Sequence, residues 1–99
     1  MSARGYWILT ADIRDINVYG TYRQAMDDFL PRFGGKFIIR AGRKKDVLGA
    51  PRTRQVVIEF HDYEQAVKAF QSSDYQKINA LCVASSVADI TIVEGVEPH

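Results

Sequence analysis

Four short apolar runs along the chain have the length and composition of β-strands. They are Tyr6–Asp12, Lys36–Gly42, Arg54–Phe60 and Ala88–Gly95. Within RQVVIEF, the third run, alternation separates an apolar face from a second face that carries Glu59. A carboxylate in a central strand is costly when it is buried unless a partner neutralises it, so Glu59 is the first candidate functional residue.

The segment between the first two strands has the spacing of an amphipathic helix. Asp15 is a suitable N-cap residue, and Pro31 followed by Gly34 predicts a kink or the end of the helix. One apolar stripe runs along this helix, and its members are Tyr19, Tyr22, Met26, Phe29, Leu30 and Phe33. The stripe predicts which side of the helix packs against the sheet.

Two capping signals divide the segment between the last two strands. Asp62 with Gln65, and Ser73 with Gln76, each have the spacing of a capping box. The sequence therefore predicts two successive helices rather than one. Cys82 falls in the second of them and is expected to be a small core residue.

The predicted elements follow one another in the order β-α-β-β-α-β, which is typical of a ferredoxin-like α+β domain, here spanning residues 1–99. Right-handed crossovers then give an antiparallel four-stranded sheet in the spatial order 4-1-3-2. Helices cover only one face of this sheet, and an apolar second face is seldom left in water. We therefore predict a homodimer in which two such faces pair, a dimeric α+β barrel. The apolar residues expected on that face are Ile38, Val57 and Val93, or Tyr6 and Ile8.

Charge and composition narrow the function classes. Thirteen basic and twelve acidic residues give a net charge of +1, which argues against a dedicated nucleic-acid or membrane-surface binder. With one cysteine an internal disulfide is excluded, and two scattered histidines, His61 and His99, make a metal site or other cofactor unexpected. No apolar run is long enough to span a membrane, and MSARGYW lacks a signal-peptide pattern, so we expect a cytoplasmic protein.

Several segments resemble one small bacterial family. GYWILTADI, FGGKFIIRAGR, VVIEFHDYEQAVKAF, SSDYQ and ITIVEG are similar to the domain-of-unknown-function (DUF) family 1330, and together they span Tyr6–Gly95. Members of this family are similar to the dimeric α+β barrel proteins, which include cofactor-free monooxygenases, isomerases and stress-response proteins. The resemblance implies the fold and a homodimer, and it leaves the chemistry open. The chain departs from the family pattern after Leu81, where Cys82 stands in place of an arginine.

Arg40 and Glu59 are the leading pair of candidate site residues. They lie on strands that a hairpin joins, and if the hairpin centres on Gly49-Ala50 the two residues face each other with Cβ atoms about 5 Å apart. Such a pair is either a salt bridge that neutralises Glu59 or part of a ligand site. In the second case Glu59 accepts a proton and Arg40 binds an anionic group.

Five other side chains are candidates for a pocket between helix and sheet. Asp12 ends the first strand and Tyr22 lies on the helix stripe, so both are candidates for proton transfer. A turn residue and a core tyrosine are the structural alternatives. Tyr6, Trp7 and Tyr75 are candidate ligand contacts, for which aromatic packing is the alternative.

The hairpin between the second and third strands is strongly basic. A solvated edge that resists aggregation is the expected role of Arg43, Lys44, Lys45, Arg52 and Arg54. RNA-recognition modules share this topology, but they display aromatic residues on the strand that corresponds to RQVVIEF. Because the open side of that strand here carries other residues, we exclude an RNA-binding function.

Two functions remain open at the level of the sequence. The first is a homodimeric protein that binds a small organic molecule in a pocket between helices and sheet. The second is a cofactor-free enzyme, a monooxygenase or isomerase acting on an aromatic or keto compound, in which Glu59, Asp12 or Tyr22 transfers a proton. The sequence leaves open whether the protein is an enzyme.

Overall fold

A computed structural model describes residues 3–97, and within them the elements follow the predicted order. The strands are β1 (Gly5–Ile13), β2 (Lys36–Arg40), β3 (Arg54–Phe60) and β4 (Ser86–Glu94). The helices are α1 (Ile16–Phe33), α2 (Tyr63–Gln71) and α3 (Ser73–Ser85). All neighbouring strands are antiparallel in the order β2-β3-β1-β4, which confirms the predicted ferredoxin-like α+β fold and strand order.

Helix α1 begins and ends close to its sequence signals. The Asp15 carboxylate accepts two hydrogen bonds of 3.1 Å from backbone N–H groups of the first turn, which have no partner within the helix. Gly34 closes the helix with a φ of 73°, a left-handed conformation that glycine adopts without strain. Pro31 does not end the helix, which continues to Phe33. The Phe33 ring stacks on Phe29 with centroids 4.5 Å apart, a contact that stabilises this last turn.

The division between α2 and α3 is confirmed, and one of the two predicted caps is displaced. Asp62 caps α2 as predicted, and its carboxylate accepts a 2.8 Å hydrogen bond from the Gln65 N–H. The predicted cap of α3, Ser73, is wrong by one residue. Ser72 is the cap because it has the extended backbone that a cap requires, and its hydroxyl accepts a 3.1 Å hydrogen bond from the Tyr75 N–H.

The core lies between the helices and one face of the sheet, around Trp7. The Trp7 side chain is fully buried, and its indole N–H donates a 2.8 Å hydrogen bond to the carbonyl of Ala66. Its ring centroid lies 5.2 Å from that of Phe60 and 4.8 Å from that of Tyr75. Cys82 is buried in the same core, as predicted.

The β2–β3 hairpin has a different register from the predicted one. A β-bulge in the middle of β2 adds one residue to that strand, so side chains beyond it change face. Lys36 lies opposite Glu59, and Arg40 lies opposite Val56. The predicted pairing of Arg40 with Glu59 is therefore wrong. The error has two physical causes. The bulge adds a residue to β2, and the hairpin is centred before the assumed Gly49-Ala50, within the loop of residues 41–53.

The sheet face away from the helices, the open face, is apolar at its centre. Ile8 on β1, Val93 on β4 and Ile39 on β2 keep 40%, 39% and 49% of their surface exposed. Val57 on β3 pairs with Ile8 across the same face. Within one chain this face is open to solvent, and its burial by a second copy stays a prediction.

Candidate functional site

A cavity of about 10 Å³ lies between α1 and the strands β2 and β3. Aromatic and apolar side chains form most of its wall and include Leu9, Tyr19, Tyr22, Met26, Phe37 and Ile58. Three arginines, Arg23, Arg40 and Arg54, complete the wall. Apolar surroundings with a few convergent polar groups are the usual form of a small-molecule site. This cavity is therefore the candidate for the pocket that the sequence predicts between helix and sheet.

Arg54 enters the cavity because it is the first residue of β3 and shares a face with Val56 and Ile58. Its Nε atom has no solvent exposure and no hydrogen-bond partner among residues 3–97. Its guanidinium carbon lies 5.3 Å from the centroid of the Tyr19 ring, within the range of a cation–π contact. Burial raises the pKa of the Tyr19 hydroxyl, and the charge of Arg54 opposes that rise.

Arg40 and Arg23 lie at the side of the cavity that faces solvent. The bulge in β2 turns Arg40 to the helical face, where its Nη1 atom is 2.7 Å from the Asp27 carboxylate on α1. The Arg40 guanidinium also stacks 4.0 Å from the centroid of Phe37. Arg40 therefore bridges β2 and α1 at the mouth of the cavity, and Arg23 is exposed beside it.

A chain of buried hydroxyl groups leads away from the cavity. The hydroxyl oxygens of Tyr22 and Tyr75 are 2.9 Å apart, and the Tyr75 hydroxyl donates to the Asn79 Oδ1 atom at 3.3 Å. An amide oxygen only accepts, so Tyr22 donates to Tyr75 and Tyr75 donates to Asn79. Burial is the main cause that raises the pKa of both tyrosines, so both hydroxyls stay protonated at neutral pH.

Glu59 lies on the open face with two partners. Its carboxylate accepts a 3.1 Å hydrogen bond from the Tyr6 hydroxyl and lies 3.5 Å from the Lys36 ammonium group. Burial and then the hydrogen bond to Glu59 raise the pKa of Tyr6, which keeps that hydroxyl protonated as a donor. Lys36, and not Arg40, is therefore the cation that neutralises Glu59.

Asp12 connects the β2–β3 hairpin to β1 through hydrogen bonds. Its carboxylate accepts hydrogen bonds of 2.8 Å from both the backbone N–H and the hydroxyl of Thr53, and one of 3.1 Å from Arg52. Arg52 also bonds Asp89 on β4 at 2.7 Å. The Thr53 N–H is the main cause that lowers the pKa of Asp12. A carboxylate with a lowered pKa is a weaker base, which favours the structural role of Asp12.

The sheet separates the residues that the sequence groups as one site. Tyr22 and Arg40 line the cavity, whereas Glu59 and Asp12 lie on the open face. The three candidates for proton transfer therefore do not converge on one substrate within a single chain. Their catalytic roles stay predictions.

The aromatic side chains of the cavity also differ from the predicted set. Trp7 and Tyr75 lie in the aromatic core, and Tyr6 lies on the open face. Tyr19 and Phe37 line the cavity instead. The helix stripe and the strand alternation contain both residues, so their position on the core side follows from the sequence, but their proximity to the arginines does not.

Arg54 is the site residue that the sequence analysis misses. The prediction assigns it to the solvated basic hairpin, although alternation puts position 54 on the same face as Val56, Ile58 and Phe60. Extending that alternation by one step towards the N-terminus predicts a guanidinium on the helical side of the sheet. The signal was therefore present in RQVVIEF.

Metal ligands and membrane spans are not found in the described part of the chain. Among residues 3–97, no group of three or more His, Cys, Asp and Glu side chains is placed to hold a metal ion. His61 is exposed as predicted, and His99 lies outside the described residues. No helix within residues 3–97 is long and apolar enough to cross a bilayer.

Solved structures with this fold include proteins of two kinds. A protein of unknown function from Rhodopseudomonas palustris aligns with a TM-score of 0.75 at 13% identity, over 99% of this chain and 86% of its own. A methylated form of that protein gives 0.77 at 11% identity, over 99% and 84%. SnoaB, a cofactor-independent oxygenase from Streptomyces nogalater, gives 0.63 at 12% identity, over 98% and 97%. At these identities the similarity shows the fold alone.

The sequence itself matches one family model. The model described as "Domain of unknown function (DUF1330)" matches residues 4–96 of the chain. No curated protein matches the sequence.

Proposed function

This chain belongs to the DUF1330 family, and from that premise we propose that it is a homodimeric protein that binds a small organic molecule between α1 and the sheet. One observation carries the proposal: the cavity wall combines aromatic and apolar side chains with guanidinium groups. Such a wall contacts the apolar body of a ligand and presents oriented donors to its polar end. A cytoplasmic location of the protein stays a prediction.

Binding requires the solvent side of the cavity to widen. A volume of about 10 Å³ accommodates the centre of about one water molecule, which is less than an organic ligand needs. Met26 has a flexible thioether chain, and the side chains of Arg23 and Arg40 are long and exposed. We expect rotation of these three side chains to enlarge the cavity.

The homodimer is supported by the open face. Ile8, Ile39 and Val93 form an exposed apolar patch on a sheet whose other face is already covered. The ionisable groups around this patch are paired, Glu59 with Lys36 and the carboxylates beside Arg52 with that arginine. Two copies that meet through this face therefore bury apolar surface without leaving a carboxylate unpaired.

Light scattering coupled to size-exclusion chromatography tests the dimer. We expect wild-type protein at tens of micromolar to have twice the 11.2 kDa mass of one chain. Ile8→Glu places a charge at the centre of the proposed interface and is expected to give monomers. The matched control Val83→Glu changes an exposed residue of α3, away from the open face, and is expected to leave the dimer intact. A folded wild-type monomer contradicts the proposal.

A thermal-shift screen tests the ligand site. Aromatic acids, keto acids and quinones are the probes, and we expect at least one of them to raise the melting temperature. Met26→Trp fills the cavity and is expected to abolish the shift, at a cost in stability of about 1–3 kcal/mol. Glu59→Gln on the open face is expected to retain it. Loss of the shift in Glu59→Gln alone moves the site to the open face, and no shift with any probe refutes the binding function.

A second candidate function, a cofactor-free monooxygenase or isomerase, rests on Tyr22. Tyr22 lines the cavity together with Arg54, whose positive charge can stabilise an enolate or phenolate. The Tyr22 hydroxyl donates to Tyr75 in this structure, so it becomes a donor to a substrate only when it exchanges that bond. Oxygen uptake with hydroxylated aromatic compounds as substrates tests the oxygenase. The expected result is uptake that Tyr22→Phe reduces. Absence of both uptake and isomerised product leaves binding as the function.

A further inference from the structure

We infer that the ligand of the cavity carries a carboxylate group, and that Arg54 binds this group inside the cavity. The inference rests on the proposed function and specifies the chemical class of its ligand. It follows from three features of the structure: an unpartnered donor, an excess of positive charge in an apolar wall, and the orientation of the guanidinium group.

The unpartnered donor is the Nε atom of Arg54. It has no solvent exposure and forms no hydrogen bond with any of residues 3–97. The guanidinium group does lie beside the Tyr19 hydroxyl, where its charge and hydrogen bonding oppose the rise in the Tyr19 pKa. A buried donor without an acceptor is unfavourable, and this is more so for a cation. Because Arg54 lines the cavity, an oxygen atom of a ligand in the cavity can accept from it.

The second feature is the charge of the wall. Three arginines line the cavity, whereas none of its lining residues is acidic. Asp27 forms an ion pair with Arg40 at 2.7 Å, but within residues 3–97 no carboxylate forms an ion pair with Arg54 or Arg23. A partly buried guanidinium without a counter-ion is stabilised by binding an anion.

The orientation of Arg54 favours a planar anion with an apolar body. Its guanidinium carbon lies 5.3 Å from the Tyr19 centroid, and this contact restrains the group. A restrained guanidinium presents Nε and one Nη side by side, which matches the two oxygens of a carboxylate. Once the cavity has widened, a carboxylate beside Arg54 would place the apolar body of the ligand towards Met26 and Phe37.

Asp27 competes with the ligand for the arginines at the mouth of the cavity. Its carboxylate forms an ion pair with Arg40, and the Arg40 guanidinium stacks on Phe37 in the cavity wall. Asp27→Asn keeps the size of the side chain and removes the charge. This substitution is therefore expected to strengthen binding of a carboxylate by up to about fivefold, the range of an exposed ion pair.

Matched pairs of probes test the carboxylate. Benzoate and phenylacetate, each compared with its amide, are titrated against the wild-type protein by calorimetry and thermal shift, with inorganic phosphate as a further probe. We expect both carboxylates to bind and both amides to bind at least about tenfold more weakly. Equal binding of acids and amides overturns the carboxylate inference and leaves the proposed binding function standing. Binding of phosphate as tight as that of the carboxylates also overturns it, and no binding by any probe refutes both.

Three variants test the assignment to Arg54. Arg54→Gln removes the charge and is expected to weaken carboxylate binding about 10- to 100-fold, whereas Arg54→Lys, which keeps the charge and loses the planar donor pair, restores only part of it. Arg43→Gln makes the same change on the exposed hairpin and is expected to have no effect. Circular dichroism verifies that each variant is folded. If Arg54→Gln does not fold, Arg54→Lys and Asp27→Asn test whether Arg54 binds the carboxylate. Unchanged affinity in Arg54→Lys together with no gain in Asp27→Asn overturns the assignment.

Discussion

The buried hydroxyl chain beside the cavity predicts that two similar substitutions have unequal effects. Tyr22 is 3% exposed and Tyr75 is fully buried, and their hydroxyl oxygens are 2.9 Å apart. Because Asn79 contributes only an oxygen acceptor, Tyr22 is the donor to Tyr75. Tyr75→Phe therefore leaves the buried Tyr22 donor without an acceptor. Tyr22→Phe leaves Tyr75 with its donor still bonded to Asn79.

The magnitudes follow from the cost of each loss. Removing one hydrogen bond lowers the free energy of unfolding by about 1 kcal/mol, and a buried donor left without a partner adds about 1–3 kcal/mol. We therefore expect Tyr22→Phe to cost about 1 kcal/mol and Tyr75→Phe about 2–4 kcal/mol. For a domain of this size, 1 kcal/mol lowers the melting temperature by about 4–8 °C.

Urea denaturation followed by the fluorescence of Trp7 measures both values, since the Trp7 ring lies 4.8 Å from that of Tyr75. All samples are compared at one protein concentration, because a dimer's stability depends on it. The double variant gives the coupling energy, expected at about 2–4 kcal/mol because it loses the shared hydrogen bond only once and leaves no unpaired donor. Tyr63→Phe at a partly exposed tyrosine is the control, expected within about 0.5 kcal/mol of wild type. A cost of Tyr22→Phe equal to or above that of Tyr75→Phe refutes the assigned direction of the chain.

Two further predictions concern the helix termini and the hairpin. Gly34→Ala is expected to destabilise the fold by about 1–2 kcal/mol, because φ is 73° at this position. Gly20→Ala, in the middle of α1, is expected to stabilise the fold by about 1 kcal/mol. Neither added Cβ atom lies within 4 Å of another atom, so the difference comes from the backbone conformation. Thermal unfolding of the two variants checks the opposite signs, and a shared sign contradicts the backbone argument. Asp12, whose pKa is lowered by Thr53, contributes stability above its unfolded pKa of about 4, and this contribution is lost as the pH falls through the lower folded pKa. Urea midpoints between pH 7 and pH 2.5 are expected to show a deficit of Asp12→Asn that becomes smaller towards the acidic end, and a deficit that is constant with pH would falsify this.

Much of the fold is predictable because its signals are local. The alternation of RQVVIEF identifies the buried face of β3, and Asp15 and Asp62 mark the helix starts because a cap bonds residues only two or three positions ahead. The helix stripe, the divided second helical segment and the strand order follow from the same periodicities and from the handedness of crossovers. The predicted cap of α3 fails by one residue because Ser72 and Ser73 are adjacent and chemically equal.

The candidate site depends on contacts between distant segments, and here periodicity is insufficient. A bulge in β2 moves Arg40 from the open face to the cavity, and no regular alternation encodes one extra residue. The loop of residues 41–53 is too long to determine the register of the strands that it joins.

The sequence by itself determined the elements, their order and the composition of each face, since these depend on neighbours along the chain. Only the tertiary structure decided which distant residues lie together. It places Lys36 beside Glu59, bonds Thr53 to Asp12, and puts Arg54 and Arg40 in the wall of the same cavity. The physical reason is that one residue of shift between paired strands exchanges their faces, and that shift is set by the packing of the whole domain.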